Sequence, residues 1–186
     1  MALTESTMLA LGSAAPDFAL PEVISNNIIR LDDFRGTTKA LVVMFICAHC
    51  PYVKHVEQGL GAFGRDYQDS AAGIVAISSN DIRINPDDKP EYLRKQAENC
   101  GFTFNYLYDE TQDVAKAYQA ACTPDFFLFD DEMRLVYRGQ FDESRPGSGI
   151  PVTGRDLRAA LDAVLAGKPV SPDQHASIGC NIKWKI

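Results

Sequence analysis

The sequence predicts an α/β fold in which a mixed sheet carries helices on both faces. The run Lys39–Ile46, K-A-L-V-V-M-F-I, is continuously apolar and partly β-branched, as a strand buried on both faces requires. Directly after it, Val53, Val56, Leu60 and Phe63 recur at the spacing of one helix face. Strand and helix patterns then alternate, and two strands around a turn and a last helix close the series.

Taken in order, residues 13–38, with A-A-P-D-F-A-L-P and I-I-R-L-D-D-F-R-G, read as short extended pieces and turns leading into the first strand. Pro51 suits the first helical turn, where its missing N–H costs nothing. A second buried strand, Gly73–Ser79, is followed by the polar loop N-D-I-R-I-N-P-D-D-K-P and a helix from Pro90 to about Asn99. Asp109 and Thr111 can cap a helix carrying Val114, Ala117 and Tyr118. T-P-D-F-F-L-F-D and M-R-L-V-Y-R-G-Q-F form a hairpin that turns at Asp130–Glu132. Past the loop D-E-S-R-P-G-S-G, a helix with Leu157, Leu161, Val164 and Leu165 is stopped by Gly167 and Pro169, and a non-periodic tail runs from Val170 to Ile186.

A chain of 186 residues suffices for one core, so residues 1–186 are expected to form a single domain, with its body at about 11–166 and a tail at 167–186. Apolar residues make up 46% and charged residues 23%, an ordinary globular composition. The net charge of −7, with Lys and Arg scattered singly, leaves no basic stripe for phosphates and excludes nucleic acid as a partner. The first twelve residues carry an acid where a secretory signal needs a base, and no stretch has the apolar length to span a bilayer. A cytoplasmic protein is therefore expected, and no membrane partner. Five cysteines, an odd number, argue in that compartment against a purely structural disulfide framework.

Chemistry concentrates in F-I-C-A-H-C-P-Y-V-K-H, Phe45 to His55, where a buried strand gives way to a helix. A first cysteine, Cys47, at a helix N-terminus would lie near unpaired N–H groups and the positive dipole end, which favour thiolate by about 0.3–2 kcal/mol. Cys50, one turn on, is within disulfide reach, so the pair can cycle between dithiol and disulfide. A cationic His49 between them would stabilise the thiolate, favour the reduced form and so make the pair a stronger oxidant.

The chain resembles the thioredoxin-like superfamily, in the redoxin group related to alkyl hydroperoxide reductase and thiol-specific antioxidant proteins. The similarity covers roughly residues 11–166 and rests on L-G-S-A-A-P-D-F-A-L, C-A-H-C, Y-D-E-T-Q-D-V-A-K-A-Y, and T-P-D-F-F-L-F-D followed by L-V-Y-R-G. The resemblance implies a thioredoxin-like fold with an N-terminal extension and a C-terminal tail. It also implies a thiol–disulfide oxidoreductase in which Cys47 attacks and Cys50 resolves. Pro124 matches the proline held cis beside the dithiol, whose neighbours present backbone to the substrate chain. The expected partners are a disulfide-containing protein or small molecule and a thiol reductant; no cofactor or metal is called for, and nothing in the sequence sets the oligomeric state. The buried carboxylate that thioredoxins proper carry on the strand before the motif has no counterpart in L-V-V-M-F-I.

Two other readings compete. Peroxiredoxins resemble P-x-x-x-T/S-x-x-C here, which makes Cys50 the peroxide-attacking thiol, but Val43 and Cys47 occupy the Pro and Thr/Ser positions. A copper- or zinc-binding module could draw ligands from Cys47, His49, Cys50 and His55, yet no second ligand pair of similar spacing exists. Among the other cysteines, Cys122 stands two residues before Pro124 and is a second redox candidate, or a small packed hydrophobe. Cys180 lies in S-I-G-C-N-I-K-W-K; this tail is expected to fold back over the domain, letting Cys180 pair or exchange with Cys122 or the dithiol. Cys100, at a helix end, reads as structural, and Lys54 and His55 as solvating residues.

Overall fold

The computed structural model describes residues 3–186, so the first two residues of the N-terminal stretch lie outside it. In chain order the elements are β1 (Leu3–Glu5), β2 (Ala19–Pro21), β3 (Ile28–Arg30), β4 (Ala40–Phe45), α1 (Pro51–Tyr67), β5 (Ala72–Ser78), α2 (Pro90–Cys100), β6 (Asn105–Tyr108), α3 (Asp113–Ala117), β7 (Cys122–Thr123), β8 (Asp125–Asp130), β9 (Leu135–Gly139), α4 (Arg155–Leu165) and β10 (Ile178–Asn181). Five strands form the main sheet in the order β6-β5-β4-β8-β9. β4 runs parallel to β5 and antiparallel to β8, so the sheet is mixed, as the sequence predicts. No helix among the described residues is long and apolar enough to cross a membrane.

β4 is central because all six of its side chains are buried. Successive residues of a strand face opposite sides, so Val42 and Met44 join one core and Leu41, Val43 and Phe45 the other. The first core receives Val53, Val56, Leu60 and Phe63 from α1, the stripe read from the sequence, together with Leu157 and Leu161 from α4. On the other face Tyr118, Phe127 and Phe129 pack edge-on or stacked among themselves. α1 is thereby clamped against the sheet, with its N-terminus at the C-terminal end of β4.

Two features have no signature in the pattern of residues. β6 is four residues long, too short for a period to declare itself, and forms by pairing with β5. The tail also joins a second sheet of order β1-β10-β7, pairing antiparallel with Cys122 and Thr123. These strands become strands only because the fold brings distant segments side by side.

Candidate active site

The segment between β4 and α1 makes the strand-to-helix turn. Cys50 is the N-cap residue of α1, with extended backbone angles φ −68° and ψ 127°, and Pro51 opens the helix. The expectation that Cys47 sits at the helix N-terminus is thus corrected: Cys50 does. The cause is Pro51, whose ring disfavours helical angles at the residue before it, so Cys50 caps and Cys47 stays in the preceding turn.

Both thiols are fully buried. The Cys47 Sγ lies 3.3 Å from the Thr123 Oγ1, and the Cys50 thiol donates to the Thr123 carbonyl at 3.3 Å. Thr123 precedes Pro124 through a cis peptide bond, the isomer that the resemblance implies. The structure therefore brings Cys47, Cys50 and Pro124 together from opposite ends of the fold.

The two sulfurs differ electrostatically. The Cys47 S–H, donating to the Cys50 sulfur, is the main cause that brings the Cys50 thiol down to about 5, with further help from the Cys180 thiol and the amides of Val53 and Cys180. The Val53 amide acts as a favourable dipole without closing a capping hydrogen bond. Burial pushes Cys47 the other way, well up, aided by that hydrogen bond to Cys50 and by the charge of Asp88. The two thiols are thus pulled in opposite directions, Cys50 down by its neighbours and Cys47 up by burial.

Asp88, from the polar loop before α2, is the residue that sequence reasoning missed. Its side chain is wholly buried, and its Oδ1 accepts the N–H groups of Ala48 at 2.8 Å and His49 at 3.1 Å. Its Oδ2 meets the His49 Nδ1 at 2.5 Å and the Asn80 amide at 2.9 Å. Burial opposes the charge, but His49, Asn80 and the Ala48 amide hold the carboxyl below its usual range. The carboxylate thus pins the A-H pair of the motif by its backbone, and His49 is turned to Asp88. Only a buried position distinguishes Asp88 from its neighbour Asp87, and position is what the loop sequence does not reveal. Gln96 adds a bond from its Nε2 to the Cys47 carbonyl at 3.1 Å.

Since the Asp88 charge helps to hold the Cys47 thiol up, Asp88→Asn is expected to lower it. In a Cys50→Ser background, the ultraviolet thiolate absorbance should titrate at lower pH when Asp88→Asn is added than when it is absent; an equal or higher midpoint refutes the coupling. The lost charge-assisted bonds should also cost about 1–3 kcal/mol of stability.

Among the described residues, Cys47, His49 and Asp88 form a group whose candidate ligand atoms lie within 4.8 Å of one another, so these residues could hold a metal ion. The His49 Nε2 is buried without a hydrogen-bond partner. His55, expected as a solvating residue or a fourth ligand, is instead engaged with the Ser144 hydroxyl at 2.7 Å. Cys100 closes α2 and receives the Gln58 amide at 3.4 Å. Cys122 is buried, its thiol pushed up by burial, and donates to the Pro124 carbonyl at 3.6 Å. Cys180 does reach the dithiol: its thiol bonds to the Cys50 sulfur.

A buried dithiol at a strand-to-helix junction, faced by a cis-proline loop on the neighbouring strand of a mixed sheet, defines a thioredoxin-like redox protein. The chain belongs to the AhpC/TSA family, whose sequence profile matches residues 11–138. It is 30% identical over 127 residues to the thiol-disulfide oxidoreductase ResA of Geobacillus thermodenitrificans, covering 68% of this chain and 67% of that protein. It is 31% identical over 118 residues to a Mycobacterium tuberculosis protein named "Putative peroxiredoxin", covering 63% and 69%. A crystal structure of an uncharacterized conserved protein from Geobacillus kaustophilus superimposes with a TM-score of 0.96 at 56% identity, covering 100% of this chain and 97% of that one. The thioredoxin domain of a Bacteroides vulgatus thiol-disulfide oxidoreductase matches with a TM-score of 0.59 at 26% identity, covering 74% and 90%. These relatives assign the chain a redox enzyme role of thioredoxin-like type.

Proposed function

We propose that the protein is a thiol–disulfide oxidoreductase that cycles Cys47 and Cys50, with Cys50 as the attacking sulfur. One observation carries the reading: the Cys50 sulfur stands at the N-cap of α1, 3.3 Å from the Thr123 carbonyl of the cis-proline loop, where neighbouring thiols and amides bring it down while burial pushes Cys47 up. The Cys50 thiolate attacks one sulfur of a substrate disulfide and expels the other as thiolate. Cys47 then gives its proton to that leaving sulfur and attacks Cys50, releasing the reduced substrate and closing the Cys47–Cys50 disulfide. This reverses the roles that the resemblance implies, for the reason Pro51 supplies. Thr123 and Pro124 offer the backbone beside the pair, and a small thiol or dithiol reductant resets it. We place the cycle in the cytoplasm, whose thiol pool keeps such a pair reduced.

Full burial of Cys50 favours a second reading, because a molecule the size of hydrogen peroxide reaches a buried sulfur more readily than a folded substrate does. Weighing against it, the groups acting most on Cys50 are cysteines and amides, with no cation among them to polarise a peroxide. The deciding measurement compares turnover of insulin or a small aromatic disulfide with turnover of hydrogen peroxide, in one preparation under one dithiol reductant. The disulfide is expected to be consumed faster; peroxide turnover outrunning it would replace our reading with the second.

A further inference from the structure

We propose that Cys180 is a third redox thiol of this site, which takes over Cys50 from the Cys47–Cys50 disulfide and carries the bridge onto the tail strand. The inference rests on the dithiol reading above and adds a residue and a step to it.

Three observations converge at Thr123. The Cys50 thiol donates to the Thr123 carbonyl, and Cys180 is the cross-strand partner of that same residue in the β10–β7 pair. Cross-strand partners stand about 4.5–5.5 Å apart at their Cα atoms, so Cys50 and Cys180 both neighbour the Thr123 backbone. They are in hydrogen-bonding contact there, and the Tyr52 amide at the start of α1 also points to the Cys180 sulfur. The neighbouring Gly179 lies so close that a Cβ on it would stand 2.0 Å from the Thr123 oxygen and 3.1 Å from the Pro124 nitrogen. Only a glycine lets the strand lie this deep.

The strand is held in place on both sides of the cysteine. The Ser177 hydroxyl donates to the Pro124 carbonyl at 2.6 Å, the Asp81 amide to the Lys183 carbonyl at 2.9 Å, and Gln112 both gives and takes bonds with Lys183 and Lys185. The crevice beside it, lined by Tyr52, Pro124, Ser177 and Ile178, holds about 10 Å³, the room of barely one water. Cys180 is therefore a fixed part of the site, not a passing neighbour, and is itself only 4% exposed.

The redox state of the pair sets when Cys180 acts. In the reduced protein, burial and then the hydrogen bond and charge of Cys50 push the Cys180 thiol up to about 12. Oxidation of Cys50 to a disulfide removes the last two, so that burial alone then opposes the Cys180 thiolate, against Lys183 and the Tyr52 amide. That thiolate attacks the Cys50 sulfur; the Cys50–Cys180 bond forms, the Cys47–Cys50 bond breaks, and Cys47 leaves and takes up the proton that Cys180 gave. One disulfide is consumed and one made, with no external oxidant.

The test oxidises the full-length protein with diamide, quenches in acid, alkylates, and maps tryptic peptides. Cys47 and Cys50 share a tryptic peptide that ends at Lys54, so a Cys50–Cys180 bridge joins two peptides and a Cys47–Cys50 bridge does not. In Cys47→Ser, Cys50–Cys180 is expected as the principal intramolecular bridge, and wild type should show both bridges. Gly179→Ala, which keeps all thiols but lifts the strand, should reduce the joined peptides by at least about tenfold, since disulfide closure tolerates little displacement. Finding Cys180 alkylated in oxidised Cys47→Ser, with Cys50 in intermolecular or mixed disulfides, overturns the proposal. Wild type that never bridges Cys47 to Cys50 overturns the dithiol reading instead, whatever Cys180 does.

Discussion

Cys50→Ser is expected to reduce disulfide turnover by at least about a thousandfold, the scale seen when a nucleophile is removed. Cys47→Ser should instead complete the first attack and accumulate a mixed disulfide at Cys50. Iodoacetamide labelling of the reduced wild type should be half-maximal near pH 5, where the Cys50 thiol titrates, and flat above about pH 6. In Cys47→Ser the midpoint should move up, because the strongest contribution to the Cys50 thiolate, the Cys47 S–H, is gone. The sign follows from the direction of the shift: a depressed thiol loses its thiolate only as pH falls toward the lowered value. A midpoint near that of an ordinary thiol, or labelling that resides on Cys47, refutes the assignment.

The low value does not make Cys50 a much faster attacker. With a Brønsted slope of about 0.4–0.5, a drop of about four pKa units costs roughly fiftyfold in nucleophilicity, close to what the fuller thiolate population returns near neutral pH. What changes is the leaving group. A Cys50 disulfide, whether to Cys47, to Cys180 or to substrate, parts easily at Cys50, and stabilising the reduced form in this way raises the potential toward oxidation.

Arg138→Met should be the most destabilising single change outside the site. Arg138 and Asp125 are both wholly buried, and their Nη2 and Oδ2 atoms stand 3.0 Å apart. Arg138 also donates to the Ser6 hydroxyl at 2.8 Å and the Gln119 carbonyl at 2.9 Å, and lies over the Phe127 ring at 4.1 Å. Removing it leaves the Asp125 charge alone in the core, which costs about 3–5 kcal/mol. For a chain of this size that is roughly 6–20 °C in Tm. Burial already lifts the Asp125 carboxyl, with Arg138 pulling it back, and loss of Arg138 must lift it further. A carboxyl raised above its unfolded value gives stability that is present at low pH and lost as pH rises. The deficit of Arg138→Met should therefore be larger at neutral pH than near pH 4, and Asp125→Leu in the same chain should recover part of it. A Tm within about 2 °C of wild type would show that the pair is not coupled as described. Because Asp125 directly follows Pro124, partial loss of activity should accompany the loss of stability.

Periodicity made the body of the fold legible. β4, α1, β5, α2, the β8–β9 hairpin and α4 all lie where apolar spacing and turn residues placed them, because each buries a face broad enough to mark the sequence. The dithiol and Pro124 were legible as well, since strand, C-x-x-C and helix are contiguous and T-P-D-F-F follows them in order. Asp88 was not, because a carboxylate in a polar loop looks the same whether it faces water or the amides of Ala48 and His49.

One local detail was misread from the sequence, which put Cys47 at the helix N-terminus. Pro51 stands after the second cysteine, and its ring alone makes Cys50 the cap. The amino-acid sequence by itself therefore determined the class of fold and the position of the cysteine pair at a strand-to-helix junction, both consequences of contacts between near neighbours. How burial and neighbours pull the two thiols apart, and that Cys180 meets Cys50, were decided only by tertiary structure. Those depend on Thr123, Asp88 and the tail strand meeting across long stretches of chain, and such encounters leave no periodic trace in any one of them.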